Sequence, residues 1–191
     1  MKVAWCVTGC GDKLKETIEV MRGLKERHGE SLEVEVFMSK AGAQVAKYYK
    51  VSEMLQVSFD RHWVEVDANT PFVAGRLQLG EFDAVLVAPA TSNTVAKIAH
   101  GISDTLVTNA AIQALKGFVP VYVMPVDYHE GTTMTTLPNG RALKLRVRKE
   151  DADNVRKLEA MEGVRTLQSP EEIPGLLALA KRGTGPEDSI R

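Results

Sequence analysis

The sequence predicts an α/β protein: a Rossmann-like, flavodoxin-type parallel sheet with helices on both faces, plus a small C-terminal strand and helix extension. Three observations predict it. Apolar runs at 2–8, 83–88 and 119–124 are nearly continuous, as in strands buried on both faces. Segments of helical period separate them, which is the alternation of a parallel sheet. Polar turns follow the strand ends, and in open parallel sheets the carboxyl ends of the strands are where ligands bind.

Each element has its own justification. Residues 2–8 read as a buried strand. Asp12 is placed to N-cap a helix whose apolar face carries Leu14, Ile18, Met21 and Leu24, with Gly29 as its stop. In 32–38, Leu32, Val34, Val36 and Met38 alternate with Glu33, Glu35 and Phe37, which predicts a second strand. Residues 41–49 read as helical and 63–66 as a strand. Asn69-Thr70-Pro71 starts a helix, with proline in the first turn, that runs to Gly80. Two helices follow the 83–88 strand, at 94–100 and 104–116, with Gly117 as the stop. Pro125 closes the strand at 119–124.

The remainder is less regular. Residues 127–138 are polar and rich in threonine, and a loop of that length in a compact domain is more often functional than idle, so it is a candidate lid. Asn139-Gly140 is a hairpin-type turn signal, followed by a further strand at 142–147. A charged amphipathic helix is expected at 151–161 and a short strand at 164–167. Ser169-Pro170-Glu171-Glu172 then caps a last helix. The chain is divided as one domain over 1–181, with a ligand-binding core at 1–126 and a loop and C-terminal extension at 127–181. A flexible tail is expected at 182–191.

Composition removes several classes of function. A chain of 191 residues with 44% hydrophobic content can bury a full core. A net charge of −1 offers no nucleic-acid or anionic-membrane surface. The first apolar run is interrupted by Gly9, Gly11 and Asp12, so it reads as neither a signal peptide nor a membrane span, and a cytoplasmic setting is expected. Cys6 and Cys10 have neither redox nor zinc spacing, and two cysteines cannot hold an iron–sulfur cluster, so no metal is expected. Motifs of hydrolytic chemistry, such as G-x-S-x-G or H-E-x-x-H, are missing. Trp5 and Trp63 read as core or interface residues, and His100 as a helix-end residue.

Three polar loops fall on the same predicted sheet edge. Thr8-Gly9-Cys10-Gly11 follows the first strand, where glycines let backbone N–H groups approach a phosphate; a tight strand-to-helix turn accounts for it equally well. Ser39-Lys40 follows the second strand. Ser39 can simply cap the next helix, and Lys40 can meet a phosphate or an anionic ring. Ala90, Thr91, Ser92, Asn93 and Thr94 open a helix after the third quoted strand, with Thr108 and Asn109 close by. Together they describe a ligand with a phosphate, a polyol and a flat polar ring: flavin mononucleotide (FMN). The dinucleotide fingerprint is weaker, because Leu14 stands where a third glycine belongs.

Thr8-Gly9-x-Gly11, Ser39-Lys40-Ala41-Gly42 and Pro89-Ala90-Thr91-Ser92-Asn93-Thr94 resemble the flavoprotein superfamily of the peptidyl-cysteine and phosphopantothenoylcysteine decarboxylases. Nearly the whole chain, from Trp5 through Ala99-His100-Gly101-Ile102-Ser103-Asp104 to Val164, is more similar to the dihydromethanopterin reductase and archaeoflavoprotein branch. The resemblance implies FMN bound on the sheet edge and a homo-oligomer built from trimers, a dodecamer being one form.

The departures narrow the chemistry. The decarboxylases carry a catalytic histidine where this chain has Asn69-Thr70-Pro71-Phe72, and a Pro-x-Met-Asn clamp where it has Met124-Pro125-Val126-Asp127. The implied activity is therefore reduction of 7,8-dihydromethanopterin, a small-molecule pterin, to the tetrahydro form, by hydride from reduced flavin. The alternative is an electron-transfer flavoprotein that exchanges electrons with ferredoxin. Without a ferredoxin-like module of its own, the chain would draw electrons from NAD(P)H or a separate donor. Lys13 and Asp104 are the single residues, and the 127–138 loop the segment, that are candidates for substrate contact or proton delivery.

Overall fold

The computed structural model describes residues 1–183; residues 184–191, most of the expected tail, lie outside the described residues. Six parallel strands form one sheet: β1 (Lys2–Val7), β2 (Glu33–Met38), β3 (Arg61–Val64), β4 (Ala84–Ala90), β5 (Val121–Pro125) and β8 (Val164–Thr166). Their order is β3-β2-β1-β4-β5-β8. The chain winds outward through β2 and β3, then crosses back to lay β4 beside β1, in register from Val3 opposite Ala84 to Cys6 opposite Val87. That reversal is the switch point of a doubly wound sheet, where a crevice opens beyond the carboxyl ends of the two central strands.

The pleat sorts β1 between two cores. Val3, Trp5 and Val7 face one side, packed with Leu14, Ile18 and Met21 of α1 (Leu14–His28), with Leu55 of α3 (Ser52–Ser58) and with Leu177 of α8 (Ile173–Gly183). Ala4 and Cys6 face the other, with α4 (Val73–Gln78), α5 (Ser92–Ala99), α6 (Leu106–Lys116) and α7 (Lys149–Glu159). The remaining helix, α2 (Lys40–Tyr48), packs Ala46 on the first face and starts at Ser39, whose hydroxyl accepts from the Gly42 N–H at 2.9 Å. Ser39 is thus the cap that its simpler reading expected.

Several expectations are corrected. Asp12 is not the cap of α1: the chain enters the helix through Lys13 in the left-handed region (φ 57°), with no side-chain cap, and Asp12 is left in the preceding turn. Pro71 is not inside a helix either. It lies in a turn before α4, and Asn69 reaches forward so that its Oδ1 accepts from the Ala74 N–H at 3.1 Å. The 127–138 segment is not an irregular loop: Gly131–Thr136 is a strand, β6, paired antiparallel with β7 (Ala142–Val147). Threonine is β-branched and suits a pleated strand, so the polarity that argued for a loop marks an exposed hairpin instead. Glu35, which alternates with Val34 and Val36 along β2, is fully buried.

Candidate functional site

The central feature is a tie across the switch point. Thr8 directly follows β1, is 1% exposed, donates its hydroxyl to the Pro89 carbonyl at 2.7 Å and accepts from the Thr91 N–H at 3.1 Å. One side chain thereby holds the loops after β1 and β4 together. Gly9 must be glycine for the same closeness, since a Cβ there would lie 2.7 Å from the Ala41 Cβ at the start of α2. At Gly11 a Cβ would fall 2.3 Å from the Tyr49 ring.

Around this tie lie linked cavities. One, about 330 Å³, is lined by Gly9, Cys10, Asp12, Tyr49, Ser92 and Asp127 among others. A second, about 380 Å³, shares Gly9, Thr91 and Asn93 with it and extends to Ser39, Lys40, Glu65 and Lys97. A third, about 440 Å³, shares Gly11, Asp12, Tyr49 and Thr135 with the first and runs under the β6–β7 hairpin. A separate apolar groove of about 270 Å³, including Met1, Leu24 and Leu32, lies at the opposite, amino end of the sheet.

The three predicted loops do meet. Gly9, Cys10, Gly11, Ser39, Lys40, Thr91, Ser92, Asn93 and Thr94 all line these cavities. Thr91 caps α5, accepting from the Thr94 N–H at 3.3 Å, and the Ser92 hydroxyl donates to the Asp127 carboxylate. The exposed Asn93 side chain makes no hydrogen bond among the described residues. Thr8, Ala90, Thr108 and Asn109 are instead buried outside the lining. The Thr108 hydroxyl accepts from the Thr105 N–H at 3.1 Å in a capping box of α6, and Asn109 Nδ2 donates to the Ala68 carbonyl at 2.8 Å. They shape the wall rather than face the space.

The two proton-delivery candidates part company. Lys13 lines the outer cavity, with Nζ donating to the Gln168 carbonyl at 2.7 Å. Asp104 is exposed, paired with Lys97 at 2.9 Å, and lines none of these cavities. His62 lies within β3 and away from the cleft. Its Nε2 is buried without a partner among the described residues, and burial lowers its pKa.

The electrostatics of the cleft favour holding over cutting. Burial pushes the Cys10 thiol up to about 12, so it stays protonated and poorly nucleophilic. Glu65 accepts from the Lys40 N–H at 2.9 Å and from the Leu106 N–H at 3.0 Å, so it already satisfies the starts of α2 and α6. Among the described residues, the backbone N–H groups of Gly9, Cys10 and Gly11 and those of Ser92 and Asn93 donate no hydrogen bond, whereas those of Thr91 and Thr94 are taken by Thr8 and Thr91. Sequence reasoning missed Tyr49 and Glu65, and it named the 127–138 segment as a contact candidate without seeing Thr133 and Thr135 as a strand wall. A helix-end tyrosine has no spacing signature, and the hairpin wall was hidden inside an expected loop.

Comparisons agree with this architecture. The Flavoprotein family profile matches residues 1–180. An uncharacterized protein of Methanocaldococcus jannaschii is 49% identical over 173 residues, covering 91% of this chain and 92% of that protein. The dihydromethanopterin reductase (acceptor) of the same organism is 35% identical, covering 91% of this chain and 94% of its own. Among solved structures, Burkholderia xenovorans DmrB in complex with FMN, described as a cubic protein cage for redox transfer, superposes with a TM-score of 0.80 at 35% identity, covering 93% of each chain. With the doubly wound sheet and the cleft at its switch point, these matches establish that the chain belongs to the Flavoprotein family.

Proposed function

We propose that this protein is an FMN-dependent oxidoreductase that reduces 7,8-dihydromethanopterin to tetrahydromethanopterin. The observation that carries the reading is the switch-point cleft. Its walls combine hydroxyl, amide and backbone groups with a protonated thiol and a few charged side chains, Asp12, Asp127, Lys40, Glu65 and Lys97, in a chain similar over most of its length to a named reductase and to an FMN-bound redox protein.

The residues fit FMN. Glycine at 9 and 11 lets the turn pack directly against Ala41 and Tyr49, and the backbone N–H groups of Gly9, Cys10 and Gly11 beside the cavity have no partner among the described residues. In this reading the Gly9–Cys10–Gly11 turn and Ser39 hold one end of FMN, with Lys40 placed to meet the phosphate or an anionic ring. Thr91, Ser92, Asn93 and Thr94 hold the other end, while Thr8, Ala90, Thr108 and Asn109 fix the wall behind. Bound there, the flavin supplies reversible hydride transfer, a chemistry that no side chain of the cleft provides. The chain orients both reactants, with Thr133, Thr135 and Leu145 of the hairpin forming one side of the cavity. Lys13, which lines the outer cavity, is the better placed of the two candidates for proton delivery.

Electrons come from NAD(P)H or from a protein donor such as ferredoxin. The protein assembles as a homo-oligomer, and the exposed Phe72, Leu79 and Phe118 (79%, 81% and 97%) supply apolar surface for contacts between copies.

Purified protein should be yellow, and adding dihydromethanopterin after anaerobic reduction should restore the absorbance of oxidised flavin. Reoxidation by ferredoxin with no response to the pterin would replace this reading with that of an electron-transfer flavoprotein. A colourless preparation that cannot be reconstituted with FMN would exclude both.

A further inference from the structure

The space under the hairpin differs in chemistry from the cradle it adjoins. Asp12 and Tyr49 line both the switch-point cavity and the outer one, so they stand where the two join. The Asp12 carboxylate accepts no hydrogen bond and makes no ion pair among the described residues. The neighbouring Lys13 ammonium is turned to the Gln168 carbonyl. Asp127, across the cavity, already accepts the Ser92 hydroxyl. Tyr49 lies against Gly11 and packs edge-on to Tyr48, and its hydroxyl has no partner among the described residues. Thr133 and Thr135 add unpartnered hydroxyls from the hairpin. The junction therefore offers a flat aromatic side chain, a carboxylate with both oxygens free, and neutral hydroxyls.

A carboxylate with two free oxygens pairs best with two adjacent N–H donors in one plane, as carboxylates do with a guanidinium or an aminopyrimidine edge. An aromatic ring beside it favours a flat partner. We propose that Asp12 and Tyr49 form the substrate-end subsite, selecting a flat heterocycle with a 2-amino-4-oxopyrimidine edge; the inference rests on the reductase reading and gives it a recognition element. The pterin ring presents that edge, an N–H beside an exocyclic amine. The pyrimidinedione of a flavin presents a carbonyl oxygen in place of the amine, which a carboxylate repels. Asp12 thus sorts substrate from cofactor at the boundary between their spaces, by attraction to one and repulsion of the other.

The test is binding to the flavin-loaded, oxidised protein, with 7,8-dihydropterin and its 2-oxo analogue 7,8-dihydrolumazine as probes and bound flavin read from visible absorbance. Wild type should hold the pterin roughly tenfold or more tighter than the lumazine, the scale of a lost charge-assisted hydrogen bond. Asp12→Asn should lose most of that preference through weaker pterin binding, with flavin content unchanged. Tyr49→Ala should weaken both probes alike, and Tyr49→Phe neither. Full preference retained in a flavin-loaded Asp12→Asn protein would overturn the subsite. So would loss of flavin from that variant, which would place Asp12 in the cradle instead. A wild type that binds both probes equally and still oxidises its flavin with dihydromethanopterin would overturn the subsite and leave the reductase reading standing. A flavin-loaded wild type that neither binds nor responds to any pterin would remove both.

Discussion

Two polar regions of the molecule are built on opposite terms. Around Glu35 every charge is answered. The carboxylate is fully buried, takes a bidentate pair from Arg76 at 2.7 and 3.0 Å, accepts from the Trp63 indole at 3.0 Å and meets the Lys2 ammonium at 3.0 Å. In the switch-point cleft, by contrast, the side chains of Asp12 and Asn93 have no partner among the described residues. Polar groups satisfied within the chain hold β2, β3 and α4 in place. Polar groups left without partners along a cavity are available to something else. The number of polar residues does not separate a structural cluster from a binding site; the state of their hydrogen bonds does.

The comparison is broken most strongly at Glu35. Arg76→Ala leaves a buried carboxylate without its main partner and should cost about 3–5 kcal/mol in a urea unfolding curve. Flavin bound per folded molecule should stay the same; a variant as stable as wild type would remove the distinction between the two regions. Acid probes the same cluster. Burial alone would raise the Glu35 pKa, but Arg76, Lys2 and Trp63 outweigh it and bring the carboxyl down to about 2. A depressed folded-state pKa confers stability that is complete above the ordinary value of 4.5 and is lost as pH falls through about 2. Wild type should therefore lose stability over that window, and Glu35→Gln should start less stable and lose less of it.

Thr8 stands between the two regimes, being fully satisfied yet part of the cleft. Thr8→Val removes the acceptor for the Thr91 N–H and the donor to the Pro89 carbonyl, and should cost about 1–3 kcal/mol of stability together with flavin affinity. Asn93→Ala should separate the two quantities. Flavin affinity should fall by about 1–3 kcal/mol, as for a polar group that loses its partner, while unfolding moves by less than about 0.5 kcal/mol. The smallest effect belongs to Asp104→Asn. Asp104 itself lines none of the cavities, although its partner Lys97 does, and an exposed ion pair is worth little, so melting temperature and flavin content should both stay near wild-type values.

Most of the fold was legible because the sheet is written in continuous apolar runs, and strands buried on both faces need them. The three loops were legible for a related reason: they follow those runs directly, so any parallel sheet puts them on one edge. Glu35 was not legible. Its alternation with Val34 and Val36 reads as a solvated face, and only pairing with Arg76, 41 residues away, makes its burial tolerable. The hairpin was half legible: Asn139-Gly140 announced the turn and 142–147 its second strand, but the threonines of the first were read for polarity rather than for β-branching. Thr8 and Thr108 were assigned to the ligand on the strength of their hydroxyls. A sequence does not reveal that a backbone group already claims them.

The Thr8 tie also bears on the order in which the molecule assembles. Its two partners lie 81 and 83 residues further along the chain, and the cradle exists only when β4 has been laid beside β1 after the excursion through β2 and β3. Such long-range closure comes late and slowly compared with local helices. A ligand that recognises the closed cradle then binds the native chain and ignores its precursors, adding stability by mass action. Colour acquired during refolding would therefore mark completion of the central β1–β4 pairing, making the cofactor a reporter of topology as well as a reagent.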